Sequence, residues 1–191
     1  MTSYDLLVID DFFSEKDCDF WMYQWRKYET EHQSTGPGVD FEILFLQQYD
    51  ELLPYRKELI AKLDTIMPSH VEADYQQVVM MPSGARLGTH QDVWDIEYSS
   101  IIYLNDDYEG GETYIGLPGH KLNDTIIKPK TGRLVSFRGK DIPHGVNKVT
   151  KGTRFTLPAW YSTPDVLKKK RNLTKEEYKN EYTAHDKRHT R

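Results

Sequence analysis

The stretch GRLVSFRGKDIPHGVNKVTKGTRFTLPAWYS, residues 132–162, holds three short runs rich in β-branched and aromatic side chains. They are Arg133–Phe137, Val146–Val149 and Arg154–Ser162, and Gly, Pro, Asn and Asp residues punctuate them as turns do between strands. Upstream, Val71–Met81, Tyr98–Asn105 and Thr125–Lys128 read the same way. Six strands are therefore expected after residue 70. In front of them the pattern is helical. Leu59, Leu63, Ile66 and Met67 recur at i, i+4, i+7, i+8, and Pro54 suits the first turn of that helix. Ser14 with Asp17 offers a capping box for an earlier helix that runs to about Lys27 and carries Phe20, Trp21 and Trp25. Residues 5–9 form a short apolar run, and the polar, Gly-Pro-Gly-containing segment 30–40 reads as a loop. Strands following helices give an α+β, mainly β class, in which helices buttress a sandwich or barrel.

Composition narrows the class further. The 191 residues are 38% hydrophobic and 13% aromatic, enough for one well-filled domain. No apolar run approaches the ~20 residues of a membrane-spanning helix. The N-terminal MTSYDLLVIDDFF lacks the basic region and cleavage site of a secretory signal. A single cysteine, Cys18, excludes an internal disulfide and a multi-thiolate zinc site. The expectation is a cytoplasmic protein. Residues 1–164 carry 16 Lys/Arg against 25 Asp/Glu, whereas residues 165–191 carry nine against five. An acidic body argues against nucleic acid as a partner, since phosphate binding rests on clustered cations. We divide the chain into helical support at 1–70, a β core at 71–164 and a basic helical tail at 165–191, where Thr174 and Glu177 form another capping box.

Two groups of residues carry chemistry. In His90-Gln91-Asp92, positions i and i+2 share a strand face, so an imidazole and a carboxylate converge. In Pro143-His144-Gly145 a second histidine stands where a turn enters a strand. Two histidines and one carboxylate are the ligand set of the facial triad that holds non-haem Fe(II) and leaves coordination positions open for a bidentate oxoacid and O2. Arg154, ten residues after His144, supplies the cation that the far carboxylate of 2-oxoglutarate needs in a buried pocket, because arginine stays charged and binds bidentately. Arg154, Thr156, Pro158 and Trp160 share one face of the last strand.

The chain resembles the Fe(II)/2-oxoglutarate-dependent oxygenases, in their prolyl 4-hydroxylase-like branch and among its small, arginine-bearing microbial and oxygen-sensor-like members. The resemblance rests on His90-Gln91-Asp92, SSIIYLNDDYEGGET at 99–113, GRLVSF at 132–137, PHGV at 143–146 and RFTLPAWYS at 154–162, with DDFFSEKDCDF at 10–20 resembling the family's opening. It implies a double-stranded β-helix (jelly-roll, cupin-like) core with flanking N-terminal helices. It implies His90, Asp92 and His144 as iron ligands and Arg154, Tyr103, Thr113 and Thr156 around 2-oxoglutarate. Trp160 would stand at the pocket wall, with Trp94 and Asp95 as further candidates for touching substrate. Many members have a tyrosine nine positions before the first iron histidine; here that position is Met81. The implied cofactors are Fe(II), 2-oxoglutarate, O2 and ascorbate as reductant. The implied reaction hydroxylates a prolyl residue in a peptide or protein, releasing succinate and CO2. On this reading the Gly-Pro-Gly loop folds over an extended peptide.

Two other readings are compatible with these residues. One is hydroxylation of a free amino acid or other small molecule, since the metal and cosubstrate residues do not specify substrate size. The other is a non-catalytic jelly-roll that binds a partner, which leaves the joint presence of both histidines, Asp92 and Arg154 unexplained.

Overall fold

The computed structural model describes residues 4–36, 39–93, 95–121 and 124–172. In chain order the elements are β1 (Leu6–Ile9), α1 (Glu15–Lys27), β2 (Glu31–Gly36), β3 (Val39–Phe45), α2 (Leu53–Asp64), β4 (Glu72–Pro82), β5 (Leu87–His90) and β6 (Tyr98–Tyr103). There follow β7 (Glu109–Gly110), β8 (Thr113–Ile115), β9 (Thr125–Ile127), β10 (Leu134–Phe137), β11 (His144–Val146), β12 (Val149–Lys151), β13 (Thr153–Ser162) and α3 (Pro164–Asn172). Seven strands form an antiparallel sheet in the order β1-β10-β6-β13-β4-β3-β2, and four form a second sheet in the order β5-β11-β8-β9. The sheets face each other as a double-stranded β-helix. One interior cluster joins Ile43, Val79 and Met81 of the large sheet to Val146 of the small one, and another joins Tyr103, Val135 and Phe137 to Ile115 and Ile127.

The helices close the opposite face of the large sheet. Trp21 of α1 and Leu59 and Leu63 of α2 pack with Val78, Ile102, Leu157 and Tyr161 from the strands beneath. The helix starts follow their local chemistry. Ser14 Oγ accepts from Asp17 N–H at 3.2 Å and Asp17 Oδ2 accepts from Ser14 N–H at 3.0 Å, and Pro54 lies in the first turn of α2. Ile66 and Met67, expected within α2, are buried in the turns just after it.

Two expectations change. Residues 31–36 and 39–40 are strand, not loop: β2 and β3 pair antiparallel, with Glu31 opposite Ile43 and Ser34 opposite Asp40, and extend the large sheet at its edge. Such pairing is made by backbone groups, so a polar run can take part without apolar alternation. Pro37 and Gly38 lie outside the described residues, so the proposed cover over a peptide is not described there. After residue 70 the six expected strands become ten among the described residues, because pieces of two to four residues such as β5, β7 and β8 are too short to show a period. The tail is described only as far as α3. Leu167 is buried, while Thr174 and Glu177 fall outside the described residues.

Candidate metal and cosubstrate site

His90 ends β5 and His144 begins β11, directly opposite it in the antiparallel register. Asp92 lies beyond the strand, so loop contacts rather than strand alternation bring it to the histidines. Its N–H donates to Gly139 O at 2.9 Å, and the neighbouring Gln91 amide donates to Lys140 O and Asp141 O at 3.0 and 2.9 Å. The Ser99 hydroxyl donates to Asp92 Oδ2. A Cβ at Gly139 would run into both that hydroxyl and that carboxylate, so only glycine lets this loop come so close.

The three side chains form one donor set. Asp92 Oδ1 stands 3.8 Å from His90 Nε2 and Asp92 Oδ2 stands 3.7 Å from His144 Nε2. One ligand atom from each of the three lies within 4.8 Å of the others. Both Nδ1 atoms are occupied elsewhere. His90 Nδ1 faces Gly88 O at 3.0 Å and His144 Nδ1 faces Ile142 O at 2.8 Å, so an N–H there leaves each Nε2 lone pair directed at the shared point. Burial holds the His144 pKa below its ordinary value against the opposing charge of Asp92, which favours a neutral ring with a free lone pair. Two neutral imidazoles and one carboxylate fit a divalent non-haem metal.

At the inner end of the same cavity lies Arg154 of β13, only 2% exposed. Its Nε donates to Gly111 O at 3.1 Å, one Nη to Thr156 Oγ1 at 3.1 Å and the other to Thr113 Oγ1 at 3.4 Å. The Tyr103 hydroxyl donates to Thr113 Oγ1 at 2.7 Å, and the guanidinium carbon stands 5.3 Å from the Tyr103 ring centre. Gly111, at φ +66°, holds the close turn that brings its carbonyl to Arg154. Among the described residues no carboxylate pairs with this guanidinium. A buried cation with neutral partners only is a fit for an anionic group entering from the cavity, and 2-oxoglutarate brings one. The Met81 sulfur fills the position of the absent tyrosine, 3.6 Å from an Arg154 Nη.

The structure therefore brings His90, Asp92 and His144 together at one point and Tyr103, Thr113, Arg154 and Thr156 at another, both opening on a cavity of about 370 Å3. Trp160 lines that cavity and stacks on Tyr75, with ring centres 4.4 Å apart and planes 15° from parallel. Trp94 lies outside the described residues. Asp95 is a correction. It is buried away from the cavity, where its Oδ2 meets Lys170 Nζ at 2.7 Å and its carbonyl accepts from Ser162 Oγ at 2.6 Å, so an ion pair with α3 accounts for it. Sequence reasoning missed Ser99, Gly139, Tyr75 and Tyr108. Tyr108 sits against Gly111 near Arg154, and burial pushes its phenol pKa up while the Arg154 charge pulls it back. None of these four belongs to a spacing pattern, and only the folded contacts single them out.

A double-stranded β-helix with a His-x-Asp…His donor set beside an uncompensated buried arginine is an arrangement suited to a divalent metal and an anionic ligand. Residues 76–162, a little under half of the chain, match the family model of the 2OG-Fe(II) oxygenase superfamily. A segment of 67 residues is 45% identical to human prolyl 3-hydroxylase 2, covering 35% of this chain and 10% of that much longer protein. The fold is similar to a Pseudomonas putida prolyl-4-hydroxylase, with a TM-score of 0.66, 19% identity and coverage of 84% and 94% of the two chains. It is also similar to a prolyl hydroxylase from Trichoplax adhaerens solved with a hypoxia-inducible-factor peptide fragment, with a TM-score of 0.70, 15% identity and 85% of each chain covered. Among the described residues no helix is long and apolar enough to cross a membrane.

Proposed function

We propose that this oxygenase hydroxylates a prolyl residue within a peptide or protein, in the cytoplasm, consuming O2 and 2-oxoglutarate and releasing succinate and CO2. The observation that carries the reading is that the His90–Asp92–His144 donor set and the unpaired Arg154 open into one cavity whose remaining wall is neutral. Fe(II), when bound, supplies the oxidising chemistry: one oxygen atom of O2 enters the substrate C–H bond and the other enters succinate. The protein's part is to bind and orient. His90, Asp92 and His144 hold the metal on one side only. Arg154, with the hydroxyls of Thr113, Thr156 and Tyr103, holds the distal carboxylate of 2-oxoglutarate and directs its other end toward the triad. Ser99 steadies the Asp92 carboxylate.

The substrate class follows from what is left over. Among the described residues lining the cavity, the ionisable groups that carry or can carry charge are His90, Asp92, His144 and Arg154, all engaged above. A free amino acid brings an ammonium and a carboxylate, and each needs a partner in a buried site. A residue inside a peptide brings neither. Phe41, Tyr75, Pro158 and Trp160 offer it an aromatic and apolar wall. The kinship of the 67-residue segment to prolyl 3-hydroxylases and the peptide bound by the Trichoplax neighbour support the same substrate class.

The test is an anaerobic titration with Fe(II) and 2-oxoglutarate, then succinate measurement on admitting O2, in the wild type and His144→Ala, with and without ascorbate. Binding and succinate formation that the substitution abolishes are expected. Blocked proline peptides and free proline are then offered as substrates, and the hydroxylated product is hydrolysed and separated into 3- and 4-hydroxyproline. Metal binding without 2-oxoglutarate binding would place the error at Arg154. Turnover of free proline with no peptide product would replace the peptide reading by the small-molecule one.

A further inference from the structure

Gln76 and Gln77 are neighbours on β4 with the same side chain and opposite surroundings. Gln76 faces the helices and is held there, its Oε1 accepting from Arg56 Nε at 2.6 Å. Gln77 faces the cavity, is 8% exposed, and its carboxamide meets no hydrogen-bonding partner among the described residues. Its neighbours explain why. Tyr75 and Val79 flank it along the same face of β4. Phe45 stands opposite on β3. On the other side the register Thr156–Val79 and Ala159–Gln76 sets Gln77 across from Pro158, which has no N–H to offer. The other polar side chains of the cavity are committed. Gln91 binds backbone carbonyls, Ser99 binds Asp92, and Thr113 and Thr156 bind Arg154. Ser100 points to the opposite face of β6 from Ser99. The Gln77 amide atoms reach the open space of the cavity, where a methionine or leucine would fill the same volume, so packing does not account for a glutamine here.

Resting on the peptide-hydroxylase reading, we propose that Gln77 is a substrate-reading residue whose carboxamide hydrogen-bonds a main-chain peptide group beside the target residue. A carboxamide carries both an acceptor and a donor and no charge, so its oxygen can accept from a peptide N–H inside a neutral cavity wall. It lies between two surfaces with separate tasks. Toward Arg154, β4 and β13 present Met81, Val79 and Thr156; toward the mouth, they present the stacked Tyr75–Trp160 pair. A proline ring placed against the aromatic pair leaves the following N–H to be read by the carboxamide oxygen, while the trans peptide group turns the proline carbonyl to the opposite side. The peptide bond preceding proline has no N–H, so the group following the ring is the one addressed.

The experiment compares wild type with Gln77→Met, which keeps the volume and removes both hydrogen-bonding atoms. The probe is acetyl-Ala-Pro-Ala-amide, together with its depsipeptide analogue in which an ester oxygen replaces the N–H that follows proline. Peptide affinity is measured anaerobically with Mn(II) and 2-oxoglutarate bound, and KM is measured in air with Fe(II). Gln77→Met is expected to weaken binding of the amide peptide and raise its KM about tenfold, the effect of one lost hydrogen bond. The ester should cost the wild type a similar factor and the variant nothing further, which a purely structural role would not produce. Affinity for 2-oxoglutarate, held at Arg154, controls for folding. If Gln77→Met binds the amide peptide as the wild type does, or if the two losses multiply, the inference is overturned while the peptide reading stands. If the wild type binds no blocked peptide yet hydroxylates free proline, the peptide reading fails and the inference fails with it.

Discussion

The two faces of β13 do different work within the same ten residues. Phe155, Leu157, Ala159 and Tyr161 point toward α1 and α2 and are buried in the large core. Arg154, Thr156, Pro158 and Trp160 point into the cavity. The outer face follows the burial rule, apolar at every position, and its energy comes from area removed from water and close packing. The inner face breaks that rule by burying a guanidinium and a hydroxyl, which on the proposed reading bind what enters. A protein that keeps such groups inside gains specificity at the cost of some stability. Substitutions on the two faces should therefore fail in different assays.

The largest separation is expected at the far end of the cavity that this inner face lines, at His144 of β11 in the smaller sheet. His144→Ala should abolish Fe(II) binding and lower succinate formation by at least about a thousandfold, because side chains alone do not supply the chemistry of the metal. Its melting temperature without metal should change little, since the ring's main bond is to a local carbonyl, Ile142 O. Equilibrium dialysis with Fe(II) and a thermal melt check both halves. Unfolding of the variant at ambient temperature would show that this face carries stability as well.

The reverse pattern is expected at Leu157, which is completely buried on the outer face. Leu157→Ala leaves a cavity under the helices and should cost about 3 kcal/mol. For a chain of this length that lowers the melting temperature by roughly 6–12 °C. The fraction that remains folded should bind 2-oxoglutarate with unchanged affinity, which isothermal titration below the transition would measure.

This division also explains what was legible in the sequence. The outer face and the helices show as periodicity, so α1, α2 and the long strands were readable from Leu59, Leu63 and the alternation of residues 154–162. The inner face shows as chemistry where residue types are rare and correctly spaced, as with His90, Asp92, His144 and Arg154. It does not show where a common residue matters through its neighbours. Gln77 is one glutamine beside another, and only the fold turns one toward Arg56 and the other into the cavity. Asp95 misled for a related reason: three positions from Asp92 suggested a shared site, but its partner is Lys170, 75 positions away in the chain. The β2–β3 hairpin was hidden because main-chain pairing leaves no trace in side-chain polarity.

The Asp95–Lys170 contact tests whether the far end of β13 belongs to the framework. Lys170 Nζ bonds both Asp74 and Asp95, and Ser162 Oγ joins the same group by donating to Asp95 O. Burial works to lower the Lys170 pKa, but hydrogen bonds with the two carboxylates and their charges outweigh it, and the net shift is upward. Lys170→Met should destabilise by about 2 kcal/mol, below the cost of breaking a fully enclosed pair, because α3 can undock and let water reach both carboxylates. Since the folded pKa lies above the ordinary value of 10.5, the stabilisation is fully present below that pH and is lost as pH rises through the raised value. Urea titrations at neutral and strongly alkaline pH should show the wild type and the variant converging at the alkaline end. A gap that persists there would assign the loss to packing of the lysine stem.

The smallest effect is expected at the start of α1, on the outermost layer of the framework. Ser14 Oγ accepts from Asp17 N–H and the Asp17 carboxylate accepts from Ser14 N–H, so the pair satisfies two donors that the first helical turn leaves free. Ser14→Ala removes one of these acceptors and should cost about 1 kcal/mol. The consequence should stop at the sheet. α1 reaches the interior through Trp21 and Cys18, which pack on the outer face, while the residues of the donor set stand on β5, on β11 and in the loop after β5, on the other side. The denaturation midpoint in urea should fall, and anaerobic affinities for metal and 2-oxoglutarate should match the wild type. A fall in 2-oxoglutarate affinity alongside the midpoint would mean that a change in the helices crosses the sheet to Arg154, and β13 would then have to be treated as one coupled element.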